Sequence, residues 1–328
     1  MPERLSKLNN WLTNDCGIND YSIKPLFGDA SFRRYFRVIL ADGATRIAMD
    51  APPPQEDCHP FVDIGKRLEA AGVHTPHIHA EDLQQGFLLL EDLGDTLYLS
   101  KLNDETAPRL YGDALGALSV MQACTSIDDL PHYDKALLGI ELELFREWLC
   151  QKHLGLTLTG DENHMLDQLF AMLVDNAQQQ PQHFVHRDYH SRNLMLVASH
   201  GPGVIDFQDA VIGPITYDLV SLLKDAYIRW PLEQVDSWAD GYCELAIQSG
   251  LMPQEDETKF QRWFDLMGVQ RHIKVAGIFA RLYRRDGKDG YLDDIPLVLQ
   301  YIMAMVERYP ELSALGVFIN KRIKPLLS

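Results

Sequence analysis

Phe184-Val185-His186-Arg187-Asp188-Tyr189-His190-Ser191-Arg192-Asn193-Leu194-Met195-Leu196-Val197, closing on Gly203-Val204-Ile205-Asp206-Phe207, is the stretch whose reading decides the fold. Two short apolar runs, Leu194 to Val197 and Val204 to Phe207, flank the turn-prone Ser199-His200-Gly201-Pro202-Gly203, a pattern that predicts a β-hairpin. Asp188 stands five residues before Asn193 on the loop entering that hairpin, and Asp206 lies at its far end. Phosphoryl transfer from a nucleotide needs a carboxylate that orients a hydroxyl, with an amide and a second carboxylate as hard oxygen ligands for Mg²⁺. Asp188 takes the first role, and Asn193 with Asp206 takes the second.

The histidines offer a competing account. His183, His186, Asp188 and His190 lie close together, and alternation in an extended segment puts the last three on one face, where Asp206 would complete a metallohydrolase site. Against this, no remote His or carboxylate cluster completes a second site, and the spacing to Asn193 would become an accident. In the phosphotransfer reading, His186 instead hydrogen-bonds the loop so that Asp188 points outward.

Upstream, Leu5, Leu8, Trp11 and Leu12 share helical spacing, so a short helix opens the chain. Strands are expected at Ser22 to Phe27, Tyr35 to Leu40 and, after an Asp42-Gly43 turn, Arg46 to Met49. The small residues Gly28, Asp29, Ala30 and Ser31 join the first two strands, where backbone N–H groups and a hydroxyl can cradle phosphates. Most Gly-Asp turns merely turn the chain; the Asp188 stretch shifts the reading towards a nucleotide loop. Pro52, Pro53 and Pro54 end the strand run, Val62 to Ala71 reads as a helix, and Phe87 to Leu90 as a buried strand running into Glu91-Asp92-Leu93-Gly94.

Downstream of Gly94 the pattern is helical. Leu110, Ala114, Leu118 and Met121 form one stripe, Leu138, Leu142, Phe145 and Leu149 another, and Leu166 to Leu173 begins a third; all are read as core. Past the hairpin, Gly213 to Leu219 is read as opening a further helix, where Asp218 by position is a helix-start carboxylate favoured by the dipole. Arg271, Lys274, Arg281 and Arg285 follow steps of three and four. Such a stripe is either a solvated face carrying ion pairs or a wall that receives an anionic substrate.

Composition bounds the partners. A chain of 328 residues with net charge −17 and 46% hydrophobic content is an ordinary globular protein, and its acidity argues against nucleic acid or an anionic membrane. The five cysteines are scattered, odd in number and free of a Cys-x-x-Cys pair, which favours a reduced, cytoplasmic chain over a disulfide framework. The N-terminus lacks an apolar signal core, and no apolar run approaches the ~18 residues of a spanning helix.

The block His-Arg-Asp-x-x-x-x-Asn followed by Ile-Asp-Phe resembles the catalytic and metal-binding motifs of protein-kinase-like phosphotransferases. Its Tyr-His-Ser-Arg filling and Asp-Phe-Gln ending look more like the aminoglycoside and choline kinase branch. Three further stretches, Gly28 to Arg37, Met49 to Pro53 and Gln270 to Leu282, narrow the likeness to the bacterial N-acetylmuramate/N-acetylglucosamine anomeric kinases of the aminoglycoside phosphotransferase superfamily. The similarity covers nearly the whole chain. It implies ATP and Mg²⁺ as cofactors and phosphorylation of the C1 hydroxyl of an amino sugar for peptidoglycan recycling. It sets Glu91 and Leu93 at a hinge whose backbone groups bind adenine, Ala48 in the ATP site, and Asp218 beneath the catalytic loop. His190, Gln208, Asp209 and Arg271 are the candidate sugar contacts, with Arg271 reading the lactyl carboxylate of N-acetylmuramate.

One departure stands out. Protein kinases carry Val-Ala-Ile-Lys on the third strand, the Lys meeting the phosphates, whereas this chain has Ile47-Ala48-Met49-Asp50. Strand alternation places Arg34 with Phe36, Val38 and Leu40 on the apolar face expected to cover adenine, so Arg34 is expected to reach the phosphates with Asp50 holding it. Arg33 is then expected to point away with Tyr35 and Arg37, unless one bulged residue exchanges the two. The expected architecture is an α+β, protein-kinase-like bilobal fold: an antiparallel β-rich lobe over 1–92 and a mainly helical lobe over 93–328. No obligate protein partner is inferred. A kinase of another small hydroxyl substrate, of aminoglycoside or choline type, and a nucleotide-sensing pseudokinase are the alternatives, the latter opposed by the intact Asp188, Asn193 and Asp206.

Overall fold

Five short β-rich segments in the first hundred residues pair antiparallel into one sheet, seen in a computed structural model that describes residues 2–26, 32–198 and 201–327. The strands β1 (Tyr21–Pro25), β2 (Arg34–Leu40), β3 (Thr45–Asp50), β4 (Ile78–Asp82) and β5 (Phe87–Glu91) lie in the order β1-β2-β3-β5-β4. Two helices cover the sheet, α1 (Pro2–Asn14) on one face and α2 (His59–Ala70) on the other. The register Arg34↔Asp50 and Phe36↔Ala48 fixes which residues share a face. Phe36, Val38, Ala48, Phe87 and Leu89 pack under Leu8, Trp11 and Leu12 of α1. Met49, Leu88 and Leu90, flanked by Tyr35 and Ile47, turn towards Phe61, Ile64 and Leu68 of α2 and onwards to the large lobe.

The large lobe is built from α3 (Ala107–Cys124), α4 (Lys135–Leu144), α5 (Gly160–Gln178), α6 (Tyr217–Leu223), α7 (Leu232–Gln248), α8 (Glu257–Asp286), α9 (Ile295–Arg308) and α10 (Ser313–Phe318). The three stripes read from sequence are core: Leu110, Ala114, Leu118 and Met121 of α3 are fully buried, as are Leu138, Leu142, Phe145, Leu149, Leu166 and Leu173. A reciprocal cap between Thr159 and Glu162 starts α5, satisfying two backbone N–H groups that would otherwise lack partners. The longest helix, α8, is buried around most of its circumference from Phe260 to Ala280. It crosses α4 at Gly277, where an added Cβ would lie 2.4 Å from the Leu144 carbonyl carbon. Only glycine permits that approach, and α4 continues past it in wider turns over Phe145–His153. Among the described residues no helix is long and apolar enough to cross a membrane.

Between the helices lie two small ladders. β7 (Leu194–Leu196) pairs with β8 (Pro202–Val204), the predicted hairpin, although β8 begins inside the stretch read as turn and ends before Ile205. Gly203 is in the ladder because a side chain there would meet Leu93 Cδ1 at 2.8 Å, so the hairpin abuts the interlobe connection. A second pair, β6 (Gln182–Val185) with β9 (Val211–Pro214), is absent from the sequence reading, which had the residues from Gly213 opening a helix. Helix α6 starts at Tyr217, after β9 has paired with β6 at the base of the loop that leaves β6.

Candidate active site

The loop leaving β6 is held by buried side chains beneath it. Asp218, fully buried at the start of α6, accepts the backbone N–H of His186 at 2.6 Å and of Arg187 at 3.0 Å. Two consecutive N–H groups converge on one carboxylate because Arg187 adopts a left-handed conformation, φ 77°. Burial pushes the Asp218 pKa up to about 7 against the pull of those two donors. His186 bridges the loop to the hairpin's exit. Its Nδ1 accepts the Asp188 N–H at 3.2 Å, which fixes the neutral tautomer and makes Nε2–H the donor to the Ile205 carbonyl at 3.1 Å. Burial lowers its pKa to about 4. His183 Nε2 lies 2.8 Å from the Leu251 carbonyl. Both imidazoles are thus spent on backbone groups, which removes them from the metallohydrolase reading.

Asn193 joins the two halves of the motif. Its Nδ2 donates to the Asp188 carbonyl at 3.0 Å and lies 3.3 Å from Asp206 Oδ2, leaving the amide oxygen outside these bonds. Asp206, held at φ 66°, also accepts from Gln208 Nε2 at 2.9 Å. Left-handed backbone at a non-glycine residue persists only where surrounding contacts over-determine it. An amide oxygen and a carboxylate brought this close fit Mg²⁺, which takes one or two protein oxygens and completes its shell with water and phosphate oxygens.

Asp188 is half-buried beside a cationic wall. Burial opposes its charge, but Lys274, His190 and Arg271 outweigh burial and hold its pKa below the usual carboxylate value. Lys274 Nζ donates to Tyr217 Oη at 2.9 Å and pairs with Glu141 at 3.1 Å; Glu141 also takes Arg187 and the Tyr133 hydroxyl. This network was missed in the sequence, where Glu141 sits unremarked inside the apolar α4 stripe; an acid at that position is the signal. Asp225 was missed as well: it is buried and accepts both the N–H and the hydroxyl of Ser191, fixing the loop's second half.

The cationic stripe of α8 divides. Arg271 and Lys274 are buried, Arg281 is half-buried, and Arg285 is exposed against Asp286. Among the described residues, Arg271 Nε and Nη1, His190 Nδ1 and Gln208 Oε1 are buried polar atoms with no protein partner. Such atoms are costly unless water or a ligand satisfies them, and three of the four sequence-chosen sugar contacts carry one. Asp209, the fourth, is exposed.

The small lobe corrects the nucleotide side. Gly28, Asp29, Ala30 and Ser31 lie outside the described residues. Arg34 does share a face with Phe36 and Val38 and does pair with Asp50, but α1 covers that face and its Arg4 pairs with the same carboxylate. The expected adenine face is therefore a helix-packed interior, and both Arg34 and Ala48 point away from the large lobe. Glu91 donates its N–H to the His77 carbonyl at 2.8 Å, so that N–H is spent within the small lobe. Leu93 packs near Gly203 at the interlobe connection. Arg37 braces that connection, bonding Asp92 at 2.6 Å and Asp95 at 2.7 Å.

The family model described as the phosphotransferase enzyme family matches residues 22–257. A protein of Pseudomonas putida named N-acetylmuramate/N-acetylglucosamine kinase is 46% identical over 97% of this chain and 97% of its own. One of Neisseria meningitidis with the same name is 43% identical over 95% of this chain and 94% of its own. Among solved structures, an ethanolamine kinase of Plasmodium vivax superposes with TM-score 0.65 at 11% identity, over 92% of this chain and 87% of that one. An ADP-bound aminoglycoside phosphotransferase superposes at 0.60 with 15% identity, over 90% and 97%. These two establish the kinase-like bilobal fold.

Proposed function

This chain belongs to the phosphotransferase enzyme family, and from that premise we propose that it transfers the γ-phosphoryl group of ATP to the anomeric C1 hydroxyl of N-acetylmuramate or N-acetylglucosamine. The observation that carries the reading is near-full-length identity of 46% to a kinase named for those two sugars. The product, a sugar 1-phosphate, serves peptidoglycan recycling, and the use of ATP places the work in the cytoplasm. We set the lobe boundary near residue 92, with ATP between the lobes.

Asp188 accepts the proton of the C1 hydroxyl as the oxygen attacks phosphorus. Its backbone N–H is oriented by His186 and its side chain is kept ionised by Lys274 and Arg271. Asn193 and Asp206 would hold Mg²⁺, which when bound neutralises phosphate charge. Asp218 and Asp225 act through the loop, fixing its backbone so that Asp188 meets the hydroxyl in one geometry. His190, Gln208 and Arg271 present their unpartnered atoms to the sugar, and Arg271 suits a lactyl carboxylate through a charge-assisted hydrogen bond.

A coupled ADP-release assay with N-acetylmuramate, N-acetylglucosamine, choline and an aminoglycoside tests the reading. Turnover with the two amino sugars, and none with the others, is expected. Preference for choline or the aminoglycoside would overturn it.

A further inference from the structure

Arg187 holds a left-handed backbone, φ 77°, that an arginine seldom adopts. Both its main chain and its side chain are gripped from outside the loop. Its N–H donates to Asp218 of α6 at 3.0 Å, and its Nη2 donates to Glu141 of α4 at 2.5 Å. We propose that Glu141 is a positioning residue for phosphoryl transfer: by holding the Arg187 side chain, it fixes the turn that carries Asp188. This deepens the kinase reading and rests on Asp188 being its base.

Glu141 is itself held rigidly. It is one of three buried residues of α4, with Leu138 and Leu142, so its charge needs compensation. A closed ring of bonds supplies it. Lys274 Nζ lies 3.1 Å from Glu141 Oε1 and donates to Tyr217 Oη at 2.9 Å. Tyr217 Oη lies 3.2 Å from Tyr133 Oη, and the Tyr133 hydroxyl donates to Glu141 Oε2. Both carboxylate oxygens are thus engaged, Oε1 by Lys274 and Arg187 and Oε2 by Tyr133. Burial opposes the charge of Glu141, but Lys274 and Arg187 outweigh burial and hold its pKa below the usual carboxylate value. The Arg187 guanidinium also sits over the Tyr133 ring, 5.5 Å from its centroid.

The ring and the loop meet in α6. Tyr217 and Asp218 are its first two residues: Tyr217 closes the ring, and Asp218 takes the N–H groups of His186 and Arg187. Arg187 is therefore clamped between two helices, its main chain by α6 and its side chain by α4, with Lys274 of α8 tied to both. Left-handed backbone at a non-glycine residue persists only where contacts over-determine it. Asp218 is one such restraint and Glu141 the other. Without Glu141 the turn relaxes and Asp188, the next residue, moves with it; a displacement of about 1 Å costs roughly 10²-fold in rate.

The test combines Glu141→Gln, Arg187→Asn and Asp188→Asn in the full chain. Asparagine tolerates the left-handed region, so Arg187→Asn removes the side-chain anchor while permitting the turn. Hydrogen exchange across residues 184–193, read by mass spectrometry without nucleotide or sugar, reports on the loop. Glu141→Gln is expected to speed that exchange by about tenfold. Its kcat falls by about ten- to one-hundred-fold while KM for ATP stays within about twofold of wild type. Arg187→Asn matches both effects, and the two changes together lose little more than either alone. In an Asp188→Asn background Glu141→Gln has almost no effect on residual turnover, because it acts through that carboxylate. Where Glu141→Gln does not fold, Arg187→Asn, which leaves Glu141 with Lys274 and Tyr133, decides by the same two readouts. Unchanged exchange and kcat in Arg187→Asn, or a full further loss of turnover in the Asp188→Asn background, overturns the assignment. Faster exchange spread over the whole chain also overturns it, because the role would then be stability alone. A wild type that phosphorylates neither amino sugar defeats the kinase reading, and the exchange comparison, which involves no substrate, still decides whether Glu141 holds the turn.

Discussion

The loop from His186 to Asp206 and the pair of strands β2 and β3 both carry the charges of this site, yet they handle them in opposite ways. On the loop, buried carboxylates are spent on backbone N–H groups: Asp218 on His186 and Arg187, Asp225 on Ser191. Asp188 and Asp206 are half-buried on the stretch so held, Asp206 at φ 66°. On the strands, the buried carboxylate of Asp50 meets two guanidinium groups and seals a helix onto a sheet. Asp218 holds main chain beneath the loop, whereas Asp50 holds the guanidinium groups that join a helix to a strand.

The largest effect expected from breaking that contrast is chemical. Asp188→Asn retains MgATP affinity while turnover falls by roughly 10²–10⁴, the range for losing a positioned base; steady-state kinetics beside nucleotide titration reads both. Asp50→Ala acts on the other region. It costs about 2–3 kcal/mol in urea unfolding through lost charge-assisted bonds to Arg4 and Arg34, with kcat within about twofold of wild type. A large kcat loss at full stability would place Asp50 in the site and erase the distinction.

A pH measurement sharpens the loop's side of the comparison. His186 has a folded pKa lowered by burial to about 4, so between the ordinary value of 6.5 and that point the unfolded chain binds the extra proton. Stability from the neutral imidazole is therefore complete above pH 6.5 and lost as the pH falls towards 4. Asp218, raised to about 7, works in the opposite direction over much of this window, but equally in both proteins compared. Between pH 7 and 5, wild type is expected to lose ~2 kcal/mol more than His186→Gln. Matching slopes would show that the imidazole is not the neutral bridge from Asp188 to Ile205.

The smallest effect concerns specificity. Arg271→Ala should raise KM for N-acetylmuramate by about tenfold more than for N-acetylglucosamine, since only the former carries a carboxylate for the unpartnered guanidinium atoms. Equal increases would mean that Arg271 serves Asp188 rather than the sugar.

How much of this was legible in the sequence follows from how local each feature is. The Asp188, Asn193 and Asp206 geometry is contained in a hairpin and its flanks, and reading along the chain found it. The alternation of β2 was also right, with Arg34, Phe36 and Val38 on one face. Which face turns to the cleft was not legible, because it depends on which side of the sheet α1 docks; an apolar face is equally what adenine or a helix would select. The β6–β9 ladder was missed because Gly213-Pro214 reads as a helix start, and only pairing with Gln182 makes it a strand. Lys274 was read in the cationic stripe, but its pairing with Glu141 was hidden by distance, since the two meet only when α4 and α8 pack.

The central claim is that Asp188 drives phosphoryl transfer onto the C1 oxygen of an amino sugar, and phosphorus NMR of the product tests it most directly. Incubation of the enzyme with ATP, Mg²⁺ and N-acetylglucosamine should give a phosphorus signal coupled to the anomeric proton, with loss of the reducing end, and Asp188→Asn should give almost none. A phosphorus signal coupled to the C6 protons, or an undiminished product in Asp188→Asn, would contradict it.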